Sequence, residues 1–158
     1  MSLLHRIKHA DDALNWRSDM PTEGRYTLGI AGEKFFREIK DNGQLMATIC
    51  LNCDITYVPP RLYCEQCFAQ LDDWVKVDPL GRVHTFTVVH WSLDEEPLPQ
   101  PRIMAFVHMD DTDGGLVHAL DEVEPEDVYL GMRVEAVFRE RDEREGSIND
   151  IKYFRPVQ

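Results

Sequence analysis

CLNCDITYVPPRLYCEQC, residues 50–67, contains all four cysteines of this 158-residue chain. The cysteines form two CxxC pairs, Cys50 with Cys53 and Cys64 with Cys67, and ten residues separate the pairs. Thiolates are soft ligands that zinc binds in a tetrahedron, and a CxxC turn directs two sulfurs at one metal ion. In an intracellular chain this pattern is typical of a metal site rather than of disulfides. The stretch therefore predicts one structural zinc in a zinc ribbon.

Two properties of this site restrict its chemistry. Cysteine fills all four positions of a tetrahedral metal ion, so no position is open for a substrate, and we predict no catalytic residue. Because the chain has no other cysteine, it also has no free thiol nucleophile. Rubredoxin-type iron uses the same four thiolates and stays an alternative. Asp54 and Phe68, rather than glycine, follow the two pairs, which favours zinc over a redox iron.

Composition excludes several classes of protein. Apolar residues make up 43% of the chain and the formal net charge is −12. An acidic chain repels the phosphates of nucleic acids instead of releasing their counterions, so we expect no nucleic-acid partner. No run approaches the roughly 18 apolar residues of a membrane span, and residues 1–10 lack an apolar signal core. We therefore expect a soluble cytoplasmic protein without a membrane partner.

Helices are predicted before the first cysteine. In residues 31–42 the side chains of Phe35, Phe36 and Ile39 share one side, and Gly43 stands where a capping glycine would end the helix. Further upstream, the apolar residues Leu3, Leu4 and Ile7 predict a short amphipathic turn or helix. It belongs to a polar arm that we expect to lie on its own body or on another subunit.

After the metal site, the pattern changes to strands. Five runs are rich in β-branched and aromatic residues and are separated by turn residues. Five strands over roughly 75 residues fit a small closed Greek-key barrel of the OB type. The expected fold is mainly β with N-terminal helices, a rubredoxin-like zinc ribbon and a five-stranded OB-fold barrel. The runs are 81–91, 102–110, 116–123, 132–141 and 147–157.

This pattern divides the chain into an arm and helix at 1–43, a zinc ribbon at 44–74 and an OB-fold barrel at 75–158. The first barrel run is apolar on both sides, so we expect one side to fill the barrel. We expect the other side to be covered by the helix, the ribbon or a partner. Three acidic clusters, at 94–96, 110–113 and 122–127, are predicted to be solvated loops because no calcium-binding spacing occurs in them.

Other candidate site residues are chosen by position alone. The adjacent Phe35 and Phe36 could dock a ligand or partner, although core packing is the simpler interpretation. Arg61 and Arg82 could bind a phosphate or carboxylate, although ordinary surface ion pairs are the simpler interpretation. The histidines in apolar runs, His84, His90 and His118, are predicted to be structural.

Several of these stretches together resemble the zinc-ribbon plus OB-fold family known as domain of unknown function thirty-five. Asp54 departs from the glycine that many members have after the first CxxC, but the four ligands remain. The resemblance covers about residues 29–156, nearly the whole chain. The resembling stretches are GEKFFREIKDNGQL (32–45), CLNC (50–53), YVPPRLYCEQC (57–67), Trp74, GRVHTFTVV (81–89), MAFVHM (104–109), YLGMRVEAVF (129–138) and YFRP (153–156).

The resemblance implies a small subunit that accompanies an acyl-CoA enzyme in a hetero-oligomer. RYTLGIAGEKFF (25–36) and GSINDIKYFRPV (146–157) are most similar to the thiolase-associated branch. For that branch we expect a thiolase-like catalytic partner, coenzyme A or acyl-CoA as ligand of the complex, and cleavage of benzoylsuccinyl-CoA in aromatic hydrocarbon degradation. Other members imply a hydratase or an aldolase as partner. A stand-alone acyl-CoA-binding module is the alternative from another class.

Overall fold

A computed structural model describes residues 27–92, 94 and 96–157. The predicted helix and arm around Leu3, Leu4 and Ile7 lie outside the described residues. The described part consists of one α-helix, a three-stranded sheet and a closed five-stranded barrel, in that order along the chain, with short 3-10 turns between strands of the barrel. Within this part, no helix is both long and apolar enough to cross a membrane.

Helix α1 spans Gly29–Asn42, so it begins two residues before the predicted helix and ends at the predicted residue. Ala31, Phe35 and Ile39 are its buried residues, and their spacing of four places them on one face. Gly43 ends the helix in a left-handed conformation with φ of 62°, and its N–H donates to the carbonyls of the last turn.

The three-stranded sheet carries the metal-binding sequence. Its strands are β1 (Leu45–Cys50), β2 (Ile55–Tyr57) and β3 (Asp73–Val77), and β1 lies between the other two in an antiparallel arrangement. The expected division after residue 74 falls within β3, because β3 pairs with β1 as far as Val77. Phe35 and Leu45 belong to the same continuous core as the barrel.

The barrel confirms the predicted OB-type architecture. Its strands close in the order β4-β5-β6-β8-β7, with β6 and β8 parallel and the other pairs antiparallel. Val107, Met109, Val134 and Phe154 fill its interior. The strands are β4 (Leu80–Trp91), β5 (Pro97–Met109), β6 (Gly115–Leu120), β7 (Arg133–Phe138) and β8 (Ile151–Pro156).

Two strands begin four or five residues away from the predicted start, each for a local reason. β5 begins at Pro97 rather than at residue 102. The prediction missed its first residues because they include three prolines, which are rare in strands. β8 begins at Ile151 rather than at residue 147, because residues Ile148–Asp150 form a 3-10 turn instead. A capping box between Ser147 and Asp150 fixes this turn.

The turn between β5 and β6 fastens the barrel to β2 of the ribbon. Asp113 N–H donates to the Thr56 carbonyl at 2.9 Å, and Gly115 N–H donates to the Val58 carbonyl at 3.0 Å. The Asp113 carboxylate accepts the Thr56 N–H at 2.8 Å. A Cβ on Gly114 would lie 2.3 Å from the Val58 carbonyl oxygen, so only glycine fits there. We call these contacts the ribbon–barrel seam.

Two residues of the acidic clusters have a structural role as well as a place in a loop. Asp113 is exposed in the loop between β5 and β6, and its carboxylate also accepts the Thr56 N–H of the seam. Asp110 is half-buried, and its carboxylate forms an ion pair with Arg133 at 2.5 Å. Acidic residues in a turn look alike in the sequence whether they face water or a second element of the fold.

Candidate metal centre

The first CxxC pair lies in the turn between β1 and β2. Cys50 is the last residue of β1 and pairs with Ile55, the first residue of β2. The N–H of Asp54 donates to the Cys50 carbonyl at 2.8 Å, and the N–H of Cys53 donates to the same carbonyl at 3.3 Å. These bonds close a tight turn that directs both thiols to one side of the hairpin.

The second CxxC pair repeats this geometry. The N–H of Phe68 donates to the Cys64 carbonyl at 3.0 Å, as Asp54 does to Cys50. Asp54 and Phe68 have φ angles of 55° and 58°, a left-handed conformation that glycine adopts most easily. The two turns are therefore local copies of each other, and the residue after each pair carries the strain that a glycine would relieve.

The two turns bring all four thiols together. Every pair of the four sulfurs lies within 4.8 Å, and the Sγ atoms of Cys50 and Cys67 are 3.6 Å apart. Tetrahedral zinc with bonds of about 2.3 Å places its sulfurs about 3.8 Å apart, so the arrangement fits such an ion. Cys50 and Cys64 are buried, whereas Cys53 is half-buried and Cys67 is exposed.

Tyr57 adds a hydrogen bond to this cluster. Its hydroxyl donates to Cys64 Sγ at 3.3 Å and accepts the N–H of Glu65 at 3.2 Å. This hydrogen bond is the main reason that the pKa of Cys64 is lowered to about 6. The same bond is the main reason that the pKa of Tyr57 is raised to about 12. Tyr57 therefore favours a Cys64 thiolate, the form that binds a metal ion.

The thiols of Cys50 and Cys53 resist ionisation unless a cation compensates. The hydrogen bond to Cys67 Sγ, followed by burial, raises the pKa of Cys53 to about 12, and burial raises the pKa of Cys50. A divalent cation reverses this preference because its charge stabilises the thiolates. The chemistry of the donor set therefore suits a thiolate-bound zinc whose binding releases protons.

Thr48 brings the second CxxC pair back to the first. Its buried hydroxyl donates to the Arg61 carbonyl at 3.0 Å and accepts the Arg61 N–H at 3.0 Å. This pair of bonds fixes the segment between the cysteine pairs against β1. Sequence reasoning identified neither Thr48 nor Tyr57, although Thr48 is a polar residue in the otherwise apolar strand β1.

The four candidates for ligand binding lie in different parts of the fold. Phe35 is only 2% exposed and packs in the core, with Phe36 edge-on against it and half-buried. Arg61 lies over the Tyr57 ring and forms an ion pair with Glu65. Arg82 lies on β4, and its guanidinium donates to the Gly131 carbonyl at 3.4 Å. Their role in ligand binding stays a prediction.

The histidines show one departure from a fully satisfied structural role. His118 Nε2 lies 3.3 Å from the Ile148 carbonyl, and its ring packs edge-on against Phe154. Its buried Nδ1 has no hydrogen-bond partner among the described residues. Burial lowers the pKa of His118, which keeps the ring neutral within the barrel wall.

Two protein-family models match consecutive parts of this chain. Residues 37–72 match the model described as ChsH2, rubredoxin-like zinc ribbon domain, which includes all four cysteines. Residues 74–139 match the model described as ChsH2, C-terminal OB-fold domain.

Curated relatives of similar length come from two methanogens. A DUF35 domain-containing scaffold protein of Methanocaldococcus jannaschii is 32% identical over 127 residues, which cover 78% of this chain and 89% of that protein. A protein of the same description from Methanothermobacter thermautotrophicus is 27% identical over 116 residues, covering 72% of this chain and 86% of that protein.

Two solved structures share the fold. A DUF35 family protein of unknown function from Sulfolobus solfataricus superposes with a TM-score of 0.60 at 24% identity, covering 82% of this chain and 83% of that chain. A chain of the Ltp2-ChsH2(DUF35) aldolase superposes with a TM-score of 0.61 at 24% identity, covering 84% of this chain and 98% of that chain.

Proposed function

Because the chain belongs to the DUF35 family of zinc-ribbon and OB-fold proteins, we propose that it is a non-catalytic, zinc-containing accessory subunit of an acyl-CoA enzyme. The observation that carries this proposal is the convergence of all four cysteines on one site. A thiol that is bound to structural zinc does not attack an acyl group. The catalytic residues of the complex therefore belong to another polypeptide.

The partner in this proposal is a thiolase-like catalytic subunit in a cytoplasmic hetero-oligomer. A thiolase needs a nucleophilic cysteine, which this chain does not offer. The stretches similar to the thiolase-associated branch support this partner, and they point to benzoylsuccinyl-CoA as the substrate. The description of the methanogen relatives as scaffold proteins supports the broader role of holding an enzyme together.

In this role the chain helps to form or close the acyl-CoA site. Arg61 and Arg82 are the proposed contacts for CoA phosphates, because a guanidinium group can bind a phosphate through two parallel hydrogen bonds (bidentate binding). Phe36 is the proposed apolar contact, with Phe35 buried beneath it as support. Exposed apolar side chains on the ribbon, Leu51, Tyr63 and Phe68, support contact with another chain.

The proposal is tested by isolating the chain, tagged, from its native cell and identifying what accompanies it by mass spectrometry. We expect a thiolase-like protein in stoichiometric amount. Thiolysis by that protein is then measured with the chain, without it, and with the Arg61→Ala and Arg82→Ala variants. Equal activity in all four samples, together with no stable complex, would contradict the accessory role.

An aldolase partner is the second candidate, favoured by the shared fold with a chain of the Ltp2-ChsH2(DUF35) aldolase. The same mass spectrometry distinguishes the two, since the partner found is either thiolase-like or aldolase-like. A stand-alone acyl-CoA-binding module is distinguished by calorimetry on the isolated chain. That module releases or absorbs heat with acyl-CoA and needs no partner to do so.

A further inference from the structure

The outer half of β4 has a free edge. β7 pairs with β4 only along Leu80–Arg82, and the last main-chain bond on that side joins Gly131 N–H to the Val83 carbonyl at 2.7 Å. Beyond Val83, the strands of the described structure pair with β4 only through β5. Residues 84–91, which we call the open edge, therefore present unpaired backbone groups over about 26 Å.

The opposite edge of the same hairpin is blocked. Pro97, Pro99 and Pro101 have no backbone N–H to donate to an added strand. The pairing of β4 with β5 shifts register between Val83 and Thr85 and again between Val89 and Trp91, at the two ends of the open edge. Between these shifts, residues 85–89 of β4 pair regularly with β5, so their free side can accept a regular strand.

The open edge has none of the charged or proline residues by which proteins commonly protect such edges. Residues 83–92, VHTFTVVHWS, include no proline, lysine, arginine or acidic residue. They are rich in β-branched and aromatic side chains, and Trp91 is 61% exposed. A long apolar edge without charge or proline pairs readily with another chain. An isolated two-stranded hairpin is also marginally stable in water, so added pairing would stabilise it.

We propose that a second copy of this chain occupies the open edge. Two open edges would pair antiparallel about a twofold axis at Thr87, so that Thr87 of one copy lies opposite Thr87 of the other. This register places residue 85 of one copy opposite residue 89 of the other. The hairpin of each copy then extends the sheet of its partner, and the two barrels share one continuous sheet.

Side chains beside the open edge fit this twofold arrangement. Trp91 near the tip reaches the base of the second copy, where Tyr129 and Leu130 are 62% and 65% exposed. Asp94 and Glu96 at the tip reach Arg82 at the base, which forms no ion pair within the described part of the chain. In a twofold interface each of these contacts occurs twice. This local charge complementarity opposes the repulsion between two chains of net charge −12.

Sedimentation equilibrium of the full zinc-loaded chain tests this proposal without any partner enzyme. We expect a monomer–dimer equilibrium in which Thr87→Lys raises the dissociation constant on the order of tenfold or more, because two like charges meet at the axis. Gln100→Lys makes the same change of charge at an exposed site on the blocked strand and should leave the constant unchanged.

A charge-exchange series tests the proposed register. Arg82→Glu should weaken the dimer several-fold, and adding Asp94→Arg should restore it, while circular dichroism checks that each variant folds. A wild-type chain that is monomeric at about 100 μM would overturn the proposal. So would a dimer equally sensitive to both lysine substitutions, or one that the second charge change fails to restore. If the wild-type chain is monomeric, slow hydrogen exchange of the backbone amides at residues 84–91 would show that another part of the same chain covers the open edge.

Discussion

Tyr57 shows how a residue outside the CxxC pairs contributes to the metal centre. Its hydroxyl links the Cys64 sulfur to the N–H of Glu65, so it orients one ligand and favours the thiolate. Partners of metal ligands commonly influence affinity in this way. At the residue scale, the centre therefore includes Tyr57 and Thr48 besides the four cysteines.

Tyr57→Phe should weaken zinc binding while leaving the fold intact. The substitution removes the hydrogen bond to Cys64 but keeps the ring in the small core around the cysteines. We expect an affinity for zinc about tenfold to a hundredfold lower, measured by competition with a chromophoric chelator. Tyr63→Phe is the matched control, because Tyr63 is exposed and its hydroxyl does not bond to any of the four cysteines. Equal affinity in the two variants would assign Tyr57 to packing alone.

The four metal-binding positions could be predicted from the sequence because a CxxC turn is local. Each pair brings its two sulfurs together within five residues, with no information needed from the rest of the chain. Thr48 and Tyr57 could not be predicted, because their partners lie 13 and 7 residues away and depend on how β1 and β2 pair. The left-handed residues Asp54 and Phe68 escaped prediction because neither is a glycine.

At the scale of elements, Asp150 organises the segment before β8. Its carboxylate is buried and accepts the N–H groups of Glu145, Gly146 and Ser147 at 2.9, 2.7 and 3.2 Å. Burial alone would raise its pKa, but the three backbone donors outweigh burial and lower the pKa below its ordinary value. This carboxylate converts the beginning of the predicted fifth run into a turn.

Asp150→Asn should destabilise the fold at neutral pH and lose its effect in acid. The amide keeps one acceptor oxygen where the carboxylate has two, so at least one buried N–H loses its partner, at a cost of roughly 2–3 kcal/mol. Because the folded-state pKa is lowered, the carboxylate contributes fully above its ordinary value of 3.8 and less as pH falls through the folded-state value. Urea unfolding of both proteins across that range measures the difference.

The exposed Asp142→Asn serves as control for the loss of charge and should change stability little. A difference between wild type and Asp150→Asn that stays constant down to the most acidic pH would contradict the role given to the ionised carboxylate.

Gly114→Ala should break the ribbon–barrel seam. A Cβ at 2.3 Å from the Val58 carbonyl oxygen forces the two backbones apart and strains the hydrogen bonds beside it. We expect a loss of about 2–4 kcal/mol in the free energy of unfolding, measured by urea titration. Gly32→Ala within α1 is the control, because alanine favours a helix and only the exposed Leu28 lies near. A smaller loss at Gly114 than at Gly32 would contradict the close approach.

At the scale of the whole molecule, the order of ribbon and barrel could be predicted, but their connection could not. Cysteine spacing indicated the ribbon, and five strand runs indicated the barrel. The seam depends on glycine and main-chain atoms, which leave no distinctive pattern in the sequence. The extent of β5 was also missed, because its three prolines resemble a loop.

Zinc removal should lower the stability of the barrel as well as that of the ribbon. Metal binding by structural zinc sites is folding free energy, on the order of 10 kcal/mol in zinc-finger peptides. Since Thr56 and Val58 hold the turn between β5 and β6, loss of the ribbon releases that turn too. We expect chelation, or Cys67→Ser, to lower the melting temperature of the whole chain in calorimetry.

Adding zinc should restore the melting temperature of the chelated chain, and adding magnesium should not, because thiolates prefer the softer ion. Metal analysis should find one zinc per chain. An unchanged melting temperature after complete chelation would show that metal binding by the cysteines does not stabilise the fold.

The ribbon–barrel seam also has a mechanical consequence. The hydrogen bonds of the seam and the shared core beneath α1 both join the ribbon to the barrel. The ribbon therefore cannot rotate without distorting the barrel wall. A protein that binds the ribbon therefore also fixes the orientation of the barrel. The two short stretches of main chain in the seam transmit this orientation.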